Sequence, residues 1–230
     1  LNAKEANSLQ ILTEAANVNA GVWANSIEAR TGKNKIDANT LDTQKISNSN
    51  NIGLDVSAIG GMYANSITLK GTNTGLGVNV KGVISSTQAS SITSDGQIIV
   101  DGGVTSNGNT ILDGQSIAIH SNGVVQGDFS TTVHSQEKVN NNGLINSGNT
   151  TTINAKSIDN NEGGRIYGDT VDIKANIVVV ALFRFRFQNF IEAISITFMA
   201  LTFIITFLLL FSRKIKCLRK IEMGIKIVES

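Results

Sequence analysis

Trp23-Ala24-Asn25-Ser26-Ile27 returns 40 residues later as Tyr63-Ala64-Asn65-Ser66-Ile67, an aromatic followed each time by the same four residues. Further along the echo shortens. GLINSGNTTTINAK (143–156) is followed by GRIYGDTVDIKA (164–175), which sets Ile145 and Ile166 21 apart and Ala155 and Ala175 20 apart. Asn140-Asn141 recurs as Asn160-Asn161, and Ser-Ile pairs stand at 26, 66, 91, 116 and 157. A chain that echoes itself every 20–25 residues is built from stacked units, none of which can bury its inward face alone.

The repeating element is a strand. Residues 1–176 sustain no apolar i, i+3, i+4, i+7 stripe. They carry short β-branched alternations instead, such as Ile27-Glu28-Ala29, Ile67-Thr68-Leu69, Ile117-Ala118-Ile119 and Val171-Asp172-Ile173, bounded by Gly, Asn, Asp or Ser. Asp95-Gly96, Asp101-Gly102 and Asp113-Gly114 read as turn dipeptides, because Asp tolerates and Gly permits positive φ. Short strands at this period predict a parallel β-helix whose coils lie about 4.8 Å apart. Ile27, Ile67, Ile117 and Ile158 then mark aliphatic interior columns, and turn asparagines stack in ladders. About eight or nine coils make a rod near 40 Å long. The complete lack of proline fits strands that need every N–H. A β-sandwich also spaces strands at 8–12 residues, but it gives no reason for the echo.

The composition changes abruptly near Asn176. Residues 1–176 hold 21 of the 22 glycines and one of the nine phenylalanines, with 11 basic against 15 acidic side chains. Residues 177–230 carry 8 basic against 3 acidic. They include 193–211, 19 residues without a charge, among them Ala193, Phe198, Phe203, Phe207 and Phe211. As a helix this stretch matches the roughly 30 Å hydrocarbon core of a bilayer, so a transmembrane helix is expected, with a buried core helix as the alternative. Arg213, Lys214, Lys216, Arg219 and Lys220 follow it and predict a cytoplasmic C-terminus. The alternating FRFRF at 183–187 suits either a short interfacial strand or a helix start. Two domains are therefore expected, 1–176 and 177–230.

VNAGVWANSIEARTGKNKID (18–37), LDVSAIGGMYANSITLKGTNTGLGVNVKGVISS (54–86) and NNGLINSGNTTTINAKSIDNNEGGRIYGDTVDIKA (141–175) resemble the filamentous-haemagglutinin family, the large two-partner-secretion exoproteins that include the contact-dependent inhibition proteins. The resemblance covers about residues 9–176 and implies a right-handed parallel β-helix. It also implies export through a dedicated outer-membrane partner, and a secreted or cell-surface role. The family opens with a signal peptide and a secretion domain bearing Asn-Pro motifs, whereas this chain opens at Leu1 and holds no proline. The family also lacks a terminal membrane helix, which makes a truncated repeat joined to a foreign reading frame the expected origin of 177–230.

Candidate sites are few. His120 and His134 have no further ligands at metal-binding spacing, so no metal site and no cofactor are expected. Gly71, Gly75 and Gly77 lack the Lys-Ser/Thr of a phosphate loop, and Cys217 reads as an idle thiol. The acids are scattered, with no nucleophile, base and orienter in one place, so no catalytic residue is expected. Trp23 and Tyr63, taken as two coils apart, are expected to fill or cap the interior, with carbohydrate stacking as the alternative. A net charge of +1 offers no basic footprint for nucleic acid. The expected function is a non-catalytic adhesin rod that binds a host or neighbouring-cell glycan or protein. The stalk of a contact-dependent toxin is the alternative, and a polysaccharide-active enzyme comes third.

Overall fold

The computed structural model describes residues 1–37 and 40–180. The span 193–211 and Cys217 lie outside the described residues. Among those that are described, no helix is long and apolar enough to cross a membrane. Nineteen strands join into one sheet system in which every pairing is parallel. The chain traverses three faces in order, here A, B and C, and then climbs to the next level. Coil 1 is Asn2–Ala3, Leu9–Thr13 and Ala16–Val18; coil 8 is Arg165–Tyr167, Thr170–Lys174 and Ile177–Val180. The product is a β-solenoid of right-handed type with about eight turns. Its last described strand, Ile177–Val180, lies past the compositional break and pairs with Ser157–Asn160.

Alternation along each strand builds the core. On face A the inward column runs Val22, Met62, Ile84, Val104, Val125, Ile145, Ile166, each in register with the next. Face B contributes Ala29, Leu69, Ile92, Leu112, Val133 and Ile153. Face C adds Leu54, Val78, Ile98, Ile117, Val139 and Ile158. From coil 2 to coil 7 these side chains are buried, and all but Val22 are essentially inaccessible to water. Burying each one stabilises the fold by about 1.5–3 kcal/mol.

The 40-residue echo proves to be a single coil. Trp23 lies directly in register with Tyr63, and Ile27 with Ile67. The extra length comes from residues 32–53, inserted between faces B and C of coil 2, where Asn34–Ile36 and Thr43–Lys45 pair as an antiparallel hairpin. The insertion is about as long as a coil, which is why the period alone misreads it as one. The Ser-Ile markers also divide between faces: Ile27 and Ile67 are neighbours on face B, while Ile117 and Ile158 lie on face C with Val139 between them.

Not every interior column is aliphatic. The column Leu9, Ile27, Ile67 continues as Ser90, Thr110, Thr131 and Thr151, all fully buried. Each of these hydroxyls donates to a carbonyl of the next coil: Ser90 to Thr105 at 3.3 Å, Thr110 to Gln126 at 2.6 Å, Thr131 to Asn146 at 2.5 Å and Thr151 to Tyr167 at 2.6 Å. A hydroxyl has one hydrogen, so the hydroxyl four residues earlier must donate back. Ser86, Ser106 and Ser147 do so at 2.9–3.0 Å, and in coil 6 the Gly127 backbone N–H substitutes at 2.8 Å. Satisfied in this way, the buried hydroxyls escape the desolvation penalty that an unpaired group would carry. Thr110→Val should therefore cost about 1–3 kcal/mol in a denaturant titration, since it leaves the buried Ser106 hydroxyl without its partner and removes the bond to the Gln126 carbonyl. Thr132→Val, on the outward side of the next coil, should stay within about 0.5 kcal/mol.

A second polar pair closes the C-to-A corner. Asn141, fully buried, donates to Asn160 Oδ1 at 2.7 Å and accepts from the Gly143 N–H at 3.2 Å. The expected asparagine ladder is present here, with Asn141 in register with Asn160 and not Asn161.

Glycine stands immediately before the face A strand at every corner from coil 3 onward: Gly60, Gly82, Gly102, Gly123, Gly143 and Gly164. A Cβ at any of them would lie 1.9–2.5 Å from a carbonyl oxygen of the coil beneath. The aspartate–glycine pairs thus work differently from expectation. Among the described residues positive φ occurs only at Gly32, Gly163 and Leu41. Asp95-Gly96 and Asp113-Gly114 lie inside the continuous strands Val83–Val100 and Asn109–Ile119, which bend around the corner. Here glycine supplies close approach between coils, not an unusual dihedral.

Candidate functional site

The outward residues of face A form a column: Trp23, Tyr63, Ser85, Thr105, Gln126, Asn146 and Tyr167. Trp23 and Tyr63 occupy adjacent coils and face outward, so they do not fill the interior. Their rings stack with centroids 5.5 Å apart and planes 14° from parallel. Each ring leans over the glycine two residues earlier: a Cβ on Gly21 would meet the indole at 2.0 Å, and one on Gly61 the phenol at 2.6 Å. Both glycines are therefore needed for the rings to lie against the sheet. Trp23 nonetheless keeps 38% of its surface exposed.

Beside the rings, at the A-to-B corner, runs a polar ladder. The Asn65 amide donates to Asn25 Oδ1, and the Thr87 hydroxyl donates to Asn65 Oδ1 at 2.8 Å. Between ring pair and ladder lies an open depression of about 360 Å³ that reaches from Lys4 to Thr87. Its lining includes Ser85 and no carboxylate.

The hairpin of coil 2 makes a second surface. Gly32, at φ +111°, turns the chain out of face B. Arg30 donates to Glu28 at 2.6 Å and to Thr43 of the hairpin at 3.2 Å, while Lys45 reaches Asp95 of coil 4 at 3.1 Å. Ser49 donates to Glu14 at 3.1 Å. A cleft of about 470 Å³ remains between hairpin and coil 1, bordered by Leu12, Glu14, Lys33, Ile36 and Ile46.

The histidines lie apart from both surfaces. His134 Nδ1 is 2.9 Å from Asp113 of the preceding coil, and His120 Nδ1 is 3.8 Å from Asp101. No group of three or more His, Cys, Asp or Glu side chains among the described residues is placed to hold a metal ion. Gly75 and Gly77 serve close packing: a Cβ on Gly75 would lie 2.9 Å from the Asn50 carbonyl, and one on Gly77 1.8 Å from the Ser94 hydroxyl. The arrangement offers stacking, amide and hydroxyl contacts spread along a shaft, which is the chemistry of recognition.

No protein-family model matches the chain, and no solved structure matches it. Curated relatives do. Toxin CdiA of Yersinia pestis is 32% identical over 136 residues, which is 57% of this chain and 4% of that protein. A tRNA nuclease CdiA of Yersinia mollaretii is 24% identical over 142 residues, covering 61% of this chain and 5% of the relative. A tRNA nuclease CdiA-2 of Burkholderia pseudomallei is 32% identical over 107 residues, covering 44% and 3%. The chain thus spans 3–5% of the length of these three relatives.

Proposed function

We propose that this chain, whose homologues are the CdiA contact-dependent inhibition proteins of the two-partner-secretion family, is a length of non-catalytic stalk from a protein of that kind. The observation that carries the reading is the cross-section. All three inward columns keep register across coils 2–7, so the unit is a stiff shaft that gains length by adding coils. The strands of each coil pair only with those of the coils above and below it, so folding can propagate from one end of the shaft to the other. This suits a protein threaded through an outer-membrane transporter and folded on the far side. On this reading the transporter is the export partner, the rod lies at the cell surface, and the nuclease or toxin activity named for the relatives belongs to parts of those proteins that this chain does not match. Attachment to a neighbouring or host cell through the outward columns is the second role we assign to it.

A chimera tests the proposal. Residues 9–176 replace the homologous stretch of the Yersinia pestis toxin, and surface display and inhibition of contacted cells are measured. Both should persist. A chimera that is made but not displayed, or displayed but inert, overturns the stalk reading; cleavage of tRNA by the purified chain overturns the non-catalytic one.

A further inference from the structure

The depression beside Trp23 and Tyr63 is too specifically built to be a bare stretch of shaft, and we infer that it is a binding site for a linear, β-1,4-linked saccharide lying along the rod axis. Three observations converge on that class. The first is the aromatic pair. Two outward rings are accommodated only because Gly21 and Gly61 lack side chains, and Trp23 stays partly exposed next to polar groups. A pyranose matches such a surface, with C–H groups on its ring face and hydroxyls around its rim.

The second is the state of the polar ladder. Asn65 spends one amide hydrogen on Asn25, and Thr87 spends its hydroxyl hydrogen on Asn65. That leaves the Asn25 amide, the second hydrogen of Asn65 and the Ser85 hydroxyl with no hydrogen bond among the described residues. All three line the depression. All three are neutral: the two amides, held in the ladder through their oxygens, can donate to sugar hydroxyls, and the Ser85 hydroxyl can donate or accept. Lys4 at the open end adds one positive charge, which admits an acidic substituent without requiring one.

The third is repeat length and strand pairing. The ladder offers one polar rung per coil, about every 4.8 Å. That is close to the advance of one residue in an extended β-1,4-linked chain, so successive sugars meet equivalent groups. An extended peptide fits less well. The face A strands flooring the site in coils 2 and 3 are hydrogen-bonded on both sides, so no edge is free for an added strand.

This inference deepens the attachment role proposed above, yet its test is independent of surface display. Trp23 is the sole tryptophan of the chain, so its fluorescence reports on this site. The purified full chain is titrated with cellotetraose, chitotetraose and, as a differently linked control, maltotetraose. A saturable change in emission with at least one of the β-1,4-linked probes is expected, and a weaker one or none with maltotetraose. Tyr63→Ala should weaken binding about tenfold, from the loss of one stacking ring. Ser85→Tyr should block it, because Val83 denies the new ring the glycine berth that Tyr63 enjoys. Circular dichroism and melting of both variants establish that the solenoid is intact. Absence of saturable binding by both β-1,4-linked probes overturns the inference, as does binding that Ser85→Tyr leaves unchanged in a folded protein. A failed titration with a functional chimera would sink the saccharide site alone; a sound titration with an inert chimera would sink the stalk reading alone.

Discussion

Leu112→Ala should destabilise the solenoid by about 2–5 kcal/mol, more than any single change on its outer surface. Leu112 is fully buried in coil 5, between Ile92 below and Val133 above. Truncation leaves a cavity that the neighbouring columns cannot fill, because their own registers are fixed by parallel pairing on both sides. The geometry also says where the loss is felt. Each coil is stabilised by its two neighbours, so the damage weakens two coil-to-coil interfaces and leaves the others alone. A denaturant titration should show the lower midpoint. Amide hydrogen exchange should show coils 4–6 losing protection while coils 2 and 3 keep theirs. Uniform loss along the rod would mean that the eight coils unfold only as one block, contrary to the quasi-linear energetics expected.

The second large effect is expected at a pair of adjacent glycines with opposite outcomes. Gly102→Ala places a Cβ 2.0 Å from the Gly82 carbonyl oxygen and 2.5 Å from that of Lys81. Both are backbone atoms, so the corner must open and the coil above must shift, at a cost of about 3 kcal/mol. Gly103, one residue later, already begins the face A strand. A Cβ there meets nothing nearer than the Thr105 methyl at 4.0 Å. Gly103→Ala should be neutral, or stabilise by up to about 1 kcal/mol, because alanine restricts the unfolded chain more than glycine does. The two melting temperatures, measured side by side, decide it. Equal losses would point to flexibility in both glycines, and close packing at the corner would then be the wrong account.

Much of the architecture was legible in the sequence, because a solenoid writes its period directly into side-chain identity. Ile145 over Ile166, and Thr150 to Asn154 over Thr170 to Lys174, are true register partners. Other features were hidden for physical reasons. An inserted hairpin is invisible to a period when its length equals the period. Nothing in the period marks the polar column, whose serine and threonines lie in the interior because each hydroxyl finds a carbonyl one coil up. The corner glycines at 60, 82, 102, 123, 143 and 164 did carry a usable signal. Read as a series, their spacing marks the turns with fewer errors than the Ser-Ile pairs, because every corner is subject to the same steric demand. The candidate site was visible as an aromatic repeat. Its outward orientation was not, since that depends on Gly21 and Gly61, whose role emerges only when the rings are seen leaning over them.

The hairpin of coil 2 bears on how such shafts diversify. Residues 32–53 leave the shaft after Thr31 and rejoin it at Leu54, yet Gly21 still pairs with Gly61 and Ala29 with Leu69, as though nothing had intervened. The equivalent bend takes only residues 14–15 in coil 1 and 72–75 in coil 3. That bend is accordingly a permissive graft point: foreign loops, epitopes or small folded modules can be spliced in there, and the mast that carries them keeps its step.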